Sequence, residues 1–331
     1  MIQPVYKVGT LNSTPLYDTY WRFAYERQEI FYRRLLGVPA PWTTDPILQT
    51  YKFTNCYRVT DRVSQYLVRN VLYNPRATVE SLEDHVFRTL FFKLFNKTDT
   101  WQRIEAYHLQ RGEQLTRATA NWKEYDRILS SVIETGGTIY SQAYMMTGRK
   151  VFGYPRKHQN HLALLQKMLA EDLPARIVAS SGLRAAYLLL LGYPLISTFL
   201  AYQYVIDINY SLATNFSESA FVVAGPGAVR GIHKCFGDLT PLSPEDVIRL
   251  VADRQETEFR RRRLKFQWLG SRQLQLIDIQ NLFCELDKYS RVMPDTASLG
   301  YNTKGRQPKQ RFRPTQEPIE YVFPPKWNLY L

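Results

Sequence analysis

A chain of 331 residues, 45% of them hydrophobic, can bury one large core or two modest ones, and 43 Lys and Arg against 30 Asp and Glu give a formal net charge of +13. A mean hydropathy of -0.34 and an opening, MIQPVYKVGTLNSTP, without an apolar stretch of signal length argue against a secreted or membrane class. Cytoplasmic residence is the expectation. Cys56, Cys235 and Cys284 are odd in number and set in apolar contexts, so they read as buried thiols. His158 and His161 form one close pair without an acidic or cysteine ligand nearby, so neither a metal nor another cofactor is expected.

In chain order the pattern predicts a mainly α protein. Thr14-Pro15 reads as an N-cap and first turn for a helix over Tyr17 to Leu36, with Tyr17, Trp21, Phe31 and Tyr32 near helical spacing and Gly37 as its stop. VPAPWTTDP reads as a loop. Further helices are expected over Asn55–Leu72, Val79–Asn96, Trp101–Leu129 with a break at Gly112, Asn160–Ala170, Pro244–Trp268 and Leu274–Arg291. Only Thr138–Tyr144 and Phe221–Ala224 look extended. From Val292 prolines and basic residues dominate, giving a helical domain over 1–291, with room for two helical lobes, and a basic, proline-rich C-terminal arm over 292–331. That arm is expected to pack through Tyr321, Phe323, Trp327 and Tyr330.

The longest uncharged run lies between Arg184 and Asp207 and is long enough to raise a membrane span. Gly192-Tyr193-Pro194 interrupts it, which is better explained as a turn between two buried helices, and no membrane association is expected. The sequel, FVVAGPGAVRGIHK, places Gly225, Gly227 and Gly231 ahead of Arg230, His233 and Lys234. Such a turn can hold a phosphate on backbone amides with basic side chains behind it; a plain tight turn explains it as well. No GxxxxGK[ST], GxSxG or HExxH occurs, which removes the P-loop and the common hydrolase readings.

Charge makes nucleic acid the first partner to consider, because the field of a strongly basic protein reaches about 10 Å at modest salt. Arg260 to Arg263 form an unbroken run, which is either a phosphate contact or a solvated helix face. On the predicted Asn55 helix, Asn55, Arg58, Asp61, Arg62, Gln65 and Arg69 fall on one side at spacings of three and four, a stripe able to read a base edge or to form an ion-paired surface. Asp278, Asn281, Glu285 and Lys288 share a face of the last helix and offer a general base with an orienting amide, or an ordinary exposed face.

Taken together and in order, KFTNCYRVTDRVSQYLVRNVLY, FRTLFFKLFNK, GYPLISTFLAYQYVIDINYS, FVVAGPGAVRGI and LQLIDIQNLFCELDKYSR resemble the helical domain of 5-hydroxymethyluracil DNA kinases. These belong with the DNA base hypermodification proteins, relatives of phage thymine pyrophosphorylases. The resemblance runs from about Tyr17 to Arg291 and implies a helix-hairpin-helix, DNA-glycosylase-like fold acting on a modified pyrimidine in DNA, flipped from the duplex. Kinase activity is not implied, since this chain has no phosphate-binding loop. The hairpin turn GYPLISTF holds no lysine, which argues against a Schiff-base route. The resemblance leaves Asp207, Glu218 and Asp278 as candidate catalytic acids, and puts Ala220 where an acid is expected before FVV.

Asn55, Arg58, Asp61, Arg62, Gln65, Gly225, Gly227, Arg230, Lys234 and Asn281 are the candidate base and DNA contacts. Two main readings follow: base excision or remodelling, or a non-catalytic DNA-binding module partnering a base-modifying kinase or transferase. A third, an RNA-binding or structural helical protein, would bind modified and unmodified DNA alike.

Overall fold

The computed structural model describes residues 7–74, 81–294, 308, 310–314 and 320–329. It opens with a short hairpin, β1 (Lys7–Val8) and β2 (Leu11–Asn12), in which Val8 lies opposite Leu11. Helix α1 spans Pro15–Leu35, and the Thr14 hydroxyl accepts the Leu16 amide at 3.3 Å. At the end of the expected loop, α2 (Pro46–Thr50) forms because Asp45 accepts the amides of Ile47 and Leu48.

The helix expected over Asn55–Leu72 is broken. A 3-10 turn covers Arg58–Thr60, Asp61 is extended, α3 occupies Arg62–Tyr66, and a π-helical stretch covers Leu67–Leu72. The cause is side chains competing for backbone groups: Asp61 Oδ1 accepts the Asn55 amide at 2.8 Å, and Asn55 Nδ2 donates to the Thr60 carbonyl at 3.0 Å.

Next come α4 (Leu82–Phe95), capped by Ser81 and closed by left-handed Asn96, then α5 (Thr98–Leu109) and α6 (Trp122–Glu134). The chain continues through α7 (Lys157–Ala170), α8 (Leu173–Val178), α9 (Leu183–Leu191) and α10 (Thr198–Ile208). Helix α11 (Pro226–Phe236) stands where a glycine-rich turn was expected, and α12 (Pro244–Arg261) and α13 (Leu276–Ser290) follow. Neither predicted extended segment forms a strand: the Ser141 amide bonds the Phe95 carbonyl, and the Ala224 amide bonds Glu245.

Chain contacts separate two compact units, one of Met1–Asp61, Val222–Tyr321 and Tyr330–Leu331, the other of Arg62–Phe221 and Val322–Leu329. In the first, α11 lies directly on α13 with glycines at the crossing. A Cβ on Gly231 would stand 2.1 Å from the Phe283 carbonyl oxygen, and one on Gly227 would stand 2.4 Å from Cys284 Sγ. The aromatic stripe of α1 completes this core: Tyr17 meets Phe236 at 4.8 Å, Trp21 meets Phe259 at 4.7 Å and Tyr20 meets Phe283 at 4.4 Å. Tyr321 rests on Phe31 at 5.0 Å.

In the second unit α4 is central, packing on α7, α8 and α10, while α9 and α10 form the expected hairpin pair. Every residue from Leu200 to Ile208 is buried, which is why this helix is apolar on all sides. No helix among the described residues is long and apolar enough to cross a membrane. Residues of the arm pack here: Trp327 lies edge-on to Tyr210 at 5.4 Å, and Lys326 Nζ donates to the Ser211 carbonyl at 2.9 Å. Tyr330, and half of the basic stretch 304–313, fall outside the described residues.

Candidate nucleic-acid interface

The candidate residues are divided between the two units. Asn55, Arg58, Asp61, Asp278, Asn281 and the α11 residues belong to the first unit; Arg62, Gln65, Asp207 and Glu218 belong to the second. The stripe expected on a single helix is therefore corrected, because the helix that would have aligned it does not form. Arg58 is 1% exposed, so it does not lie on a solvent face. Gln65 is spent on the arm, donating to the Val322 carbonyl at 3.1 Å and accepting the Val322 amide at 2.9 Å. Arg62 alone of this group is exposed.

The face of α13 is likewise turned inward. Asp278 caps its own helix and a neighbouring turn, accepting the amides of Gln275 at 2.9 Å and Arg58 at 2.8 Å. Glu285 accepts the Thr54 amide at 3.1 Å and pairs with Lys288 at 2.7 Å. Asn281 is half-buried beside them. Asp61 sits in the same neighbourhood, and burial pushes its carboxyl up to about 7, against the Asn55 amide that favours its ionised form.

The glycines of α11 lie in a helix in place of the expected turn, and Gly227 and Gly231 pack against α13. Gly225 is the N-cap of α11. The basic side chains behind them do form an ordered group. Asp287, 1% exposed, is met by Arg230 at 3.0 Å, by Lys234 at 2.9 Å and by Arg291. Lys234 also donates to Ser290 Oγ at 2.8 Å. Burial would raise the Asp287 carboxyl, but the Lys234 hydrogen bond and the charges of Lys234 and Arg291 hold it below the usual carboxylate range. Three cations share one buried carboxylate, and the outermost, Arg230, is 55% exposed.

The arginine run is divided by the end of α12. Arg262 turns inward to Glu258 at 2.5 Å and to Asp18 and lies 5.3 Å from the Tyr17 ring, whereas Arg260, Arg261 and Arg263 are exposed. A run of four identical residues gave no sign of this division, since helical phase at a helix terminus depends on where the helix stops.

In the second unit the structure pairs a sequence-predicted acid with a lysine that the sequence reading missed. Asp207 Oδ2 meets Lys93 Nζ at 3.0 Å, with the side chains 1% and 3% exposed. Lys93 also donates to Asn96 Oδ1 at 2.7 Å and stands 4.4 Å from the centre of the Tyr144 ring. A lysine in an otherwise buried face of α4, FRTLFFKLFNK, was the available signal. Glu218, 6% exposed, is buried in the link between α10 and α11, while Ala220 is exposed.

A family described as the helical domain of 5-hmdU DNA kinase matches residues 14–298. The chain belongs to that family. It is 25% identical over 331 residues to the 5-hmdU DNA kinase of Bacillus phage SP10, an alignment that covers 95% of this chain and 51% of that protein. The chain thus spans about half the length of that relative. No solved structure matches it. The family match takes in every candidate residue named above, from Asn55 to Asn281.

Proposed function

We propose that this chain binds DNA carrying 5-hydroxymethyluracil or a derived base and presents it to a base-modifying kinase or transferase. The observation that carries this reading is the group of Arg230, Lys234 and Arg291 held in fixed positions around Asp287. Cations fixed by a buried carboxylate lose little side-chain entropy when they meet a phosphate. The relative's name supports the modified base, and the positive charge of the chain supports the polyanion. The state of the acids favours binding over turnover: Asp207 is in a buried ion pair, Asp278 caps two amides and Glu218 is buried.

The test is titration of labelled duplexes of one sequence containing thymine or 5-hydroxymethyluracil over a range of salt. Tighter binding of the hydroxymethyluracil duplex, a steep salt dependence, and a shallower one in Arg230→Ala are expected. Equal affinity for both duplexes, together with tighter binding of RNA, would instead mark a general RNA-binding protein.

Base excision or remodelling is the second reading, favoured by one observation, the Lys93–Asp207 pair. It requires released or altered bases, detected by mass spectrometry of hydroxymethyluracil DNA exposed to the protein. Asp207→Asn would have to abolish them.

A further inference from the structure

Helix α12 ends in a geometry that ordinarily selects glycine. The Leu264 amide bonds the Phe259 carbonyl at 3.0 Å and the Arg263 amide bonds the Arg260 carbonyl at 3.0 Å, the paired bonds of a Schellman motif. The residue just past the cap is Arg263, at φ +54°. An arginine there is strained relative to glycine.

What Arg263 faces is a cleft of about 470 Å³, within the ~300–1,000 Å³ of small-ligand sites. Its rim carries Arg260, Arg263 and Lys265, all exposed and, among the described residues, without a carboxylate partner. Glu256, also on the rim, accepts Gln273 Nε2 at 2.5 Å. The wall is aromatic. Phe266 stacks on Phe259 at 4.2 Å, and half-buried Trp268 leans on Phe266 at 4.8 Å. Tyr32 fixes the Trp268 backbone by donating to its carbonyl at 2.6 Å. By contrast Arg262, the neighbour that points inward, pairs with Glu258 and Asp18.

We infer that the end of α12 and the turn after it form a subsite for one unpaired nucleotide of a DNA strand. The base lies on Trp268, and its phosphate lies among Arg260, Arg263 and Lys265. Unpaired bases expose a ring face to an aromatic side chain, while paired ones do not, so the cleft selects single-stranded over duplex DNA. The inference rests on the DNA-binding reading above and adds a strand preference and a place to it.

The experiment measures fluorescence anisotropy of a labelled oligothymidylate about 12 nucleotides long, within the site sizes of single-strand binders, and of a duplex of the same length. Full-length parent, Arg263→Gly and Trp268→Ala are compared over a range of salt, with thermal melts of each. Parent protein is expected to bind the single strand more tightly than the duplex. Arg263→Gly should reduce the single-strand salt slope by about 0.7 while melting no lower than the parent, because glycine relieves the strained φ. Trp268→Ala should weaken single-strand binding about ten-fold. An Arg263→Gly protein with the parental affinity and slope would overturn the subsite, as would a parent that prefers duplex, and either result leaves DNA binding standing. A parent that binds neither probe overturns the subsite, and the hydroxymethyluracil duplex then tests the DNA-binding reading by itself.

Discussion

Single residues in this protein do work that their types alone do not announce. Asp61 is held in a turn by the Asn55 amide, and burial raises its carboxyl to about 7 from an ordinary 3.8. The folded state therefore favours its protonated form. Its contribution to stability is fully present below pH 3.8 and is lost as pH rises through about 7. Asp61→Asn keeps an oxygen for the Asn55 amide and removes the titration, so urea denaturation should find it stabilised relative to the parent at pH 8 and not at pH 4. Lys93 and Asp207 are the second case. Asp207→Leu takes from the buried Lys93 ammonium the carboxylate 3.0 Å away and should cost about 3–5 kcal/mol, and the double variant with Lys93→Met should recover most of it. A thermodynamic cycle from denaturant melts checks this coupling. An Asp207 variant with unchanged stability would remove the ion pair from the account of the second unit.

At the level of elements, the crossing of α11 and α13 decides where the basic group around Asp287 stands. The two glycines at that crossing are not equivalent. Gly231 faces backbone, the Phe283 carbonyl, which cannot move without moving α13; Gly227 faces the Cys284 thiol, a side-chain atom that can rotate away. Gly231→Ala should therefore destabilise by about 3 kcal/mol, and Gly227→Ala by distinctly less. Calorimetric melts rank the two. If Gly227 instead cradled a phosphate, its alanine variant would lose DNA affinity at unchanged stability. The end of α12 offers a contrast within one run of arginines. Arg262→Ala strands Glu258, which is 3% exposed, and should lower stability. Arg260→Ala should leave stability unchanged and weaken DNA binding only at low salt, as anisotropy would show.

For the whole molecule, a net charge of +13 makes association with DNA strongly dependent on ionic strength. Each phosphate contact removed should lower the slope of log affinity against log salt by about 0.9 on duplex DNA. Combining Arg230→Ala with Arg260→Ala and Lys265→Ala should therefore flatten that slope in steps, while hydroxymethyluracil preference, which is read at the base, persists. Salt titrations of both duplexes separate these effects. A triple variant with the parental slope would place the phosphate contacts elsewhere on the protein.

Much of the fold was legible because it is written in local patterns. Thr14-Pro15 marked the start of α1, the uncharged run marked the α9 and α10 pair, of which α10 is buried while Leu188 of α9 is 51% exposed, and the ordered motifs from Lys52 to Arg291 marked the family. Helical periodicity also put Tyr17, Trp21, Phe31 and Tyr32 in the core, where each is buried. The site was less legible. Spacing assumes a helix, and Asn55 and Asp61 bond the backbone of their own turn and prevent one. Glycines read as a loop until a second helix lies close enough to require them, as α13 does for Gly227 and Gly231. Charge and helical periodicity by themselves determined a basic, mainly helical protein, and the ordered motifs determined its family. Only the tertiary structure decided which charges are spent internally, because whether Arg262, Lys93 or Asp207 faces solvent or a partner depends on residues far away in the chain.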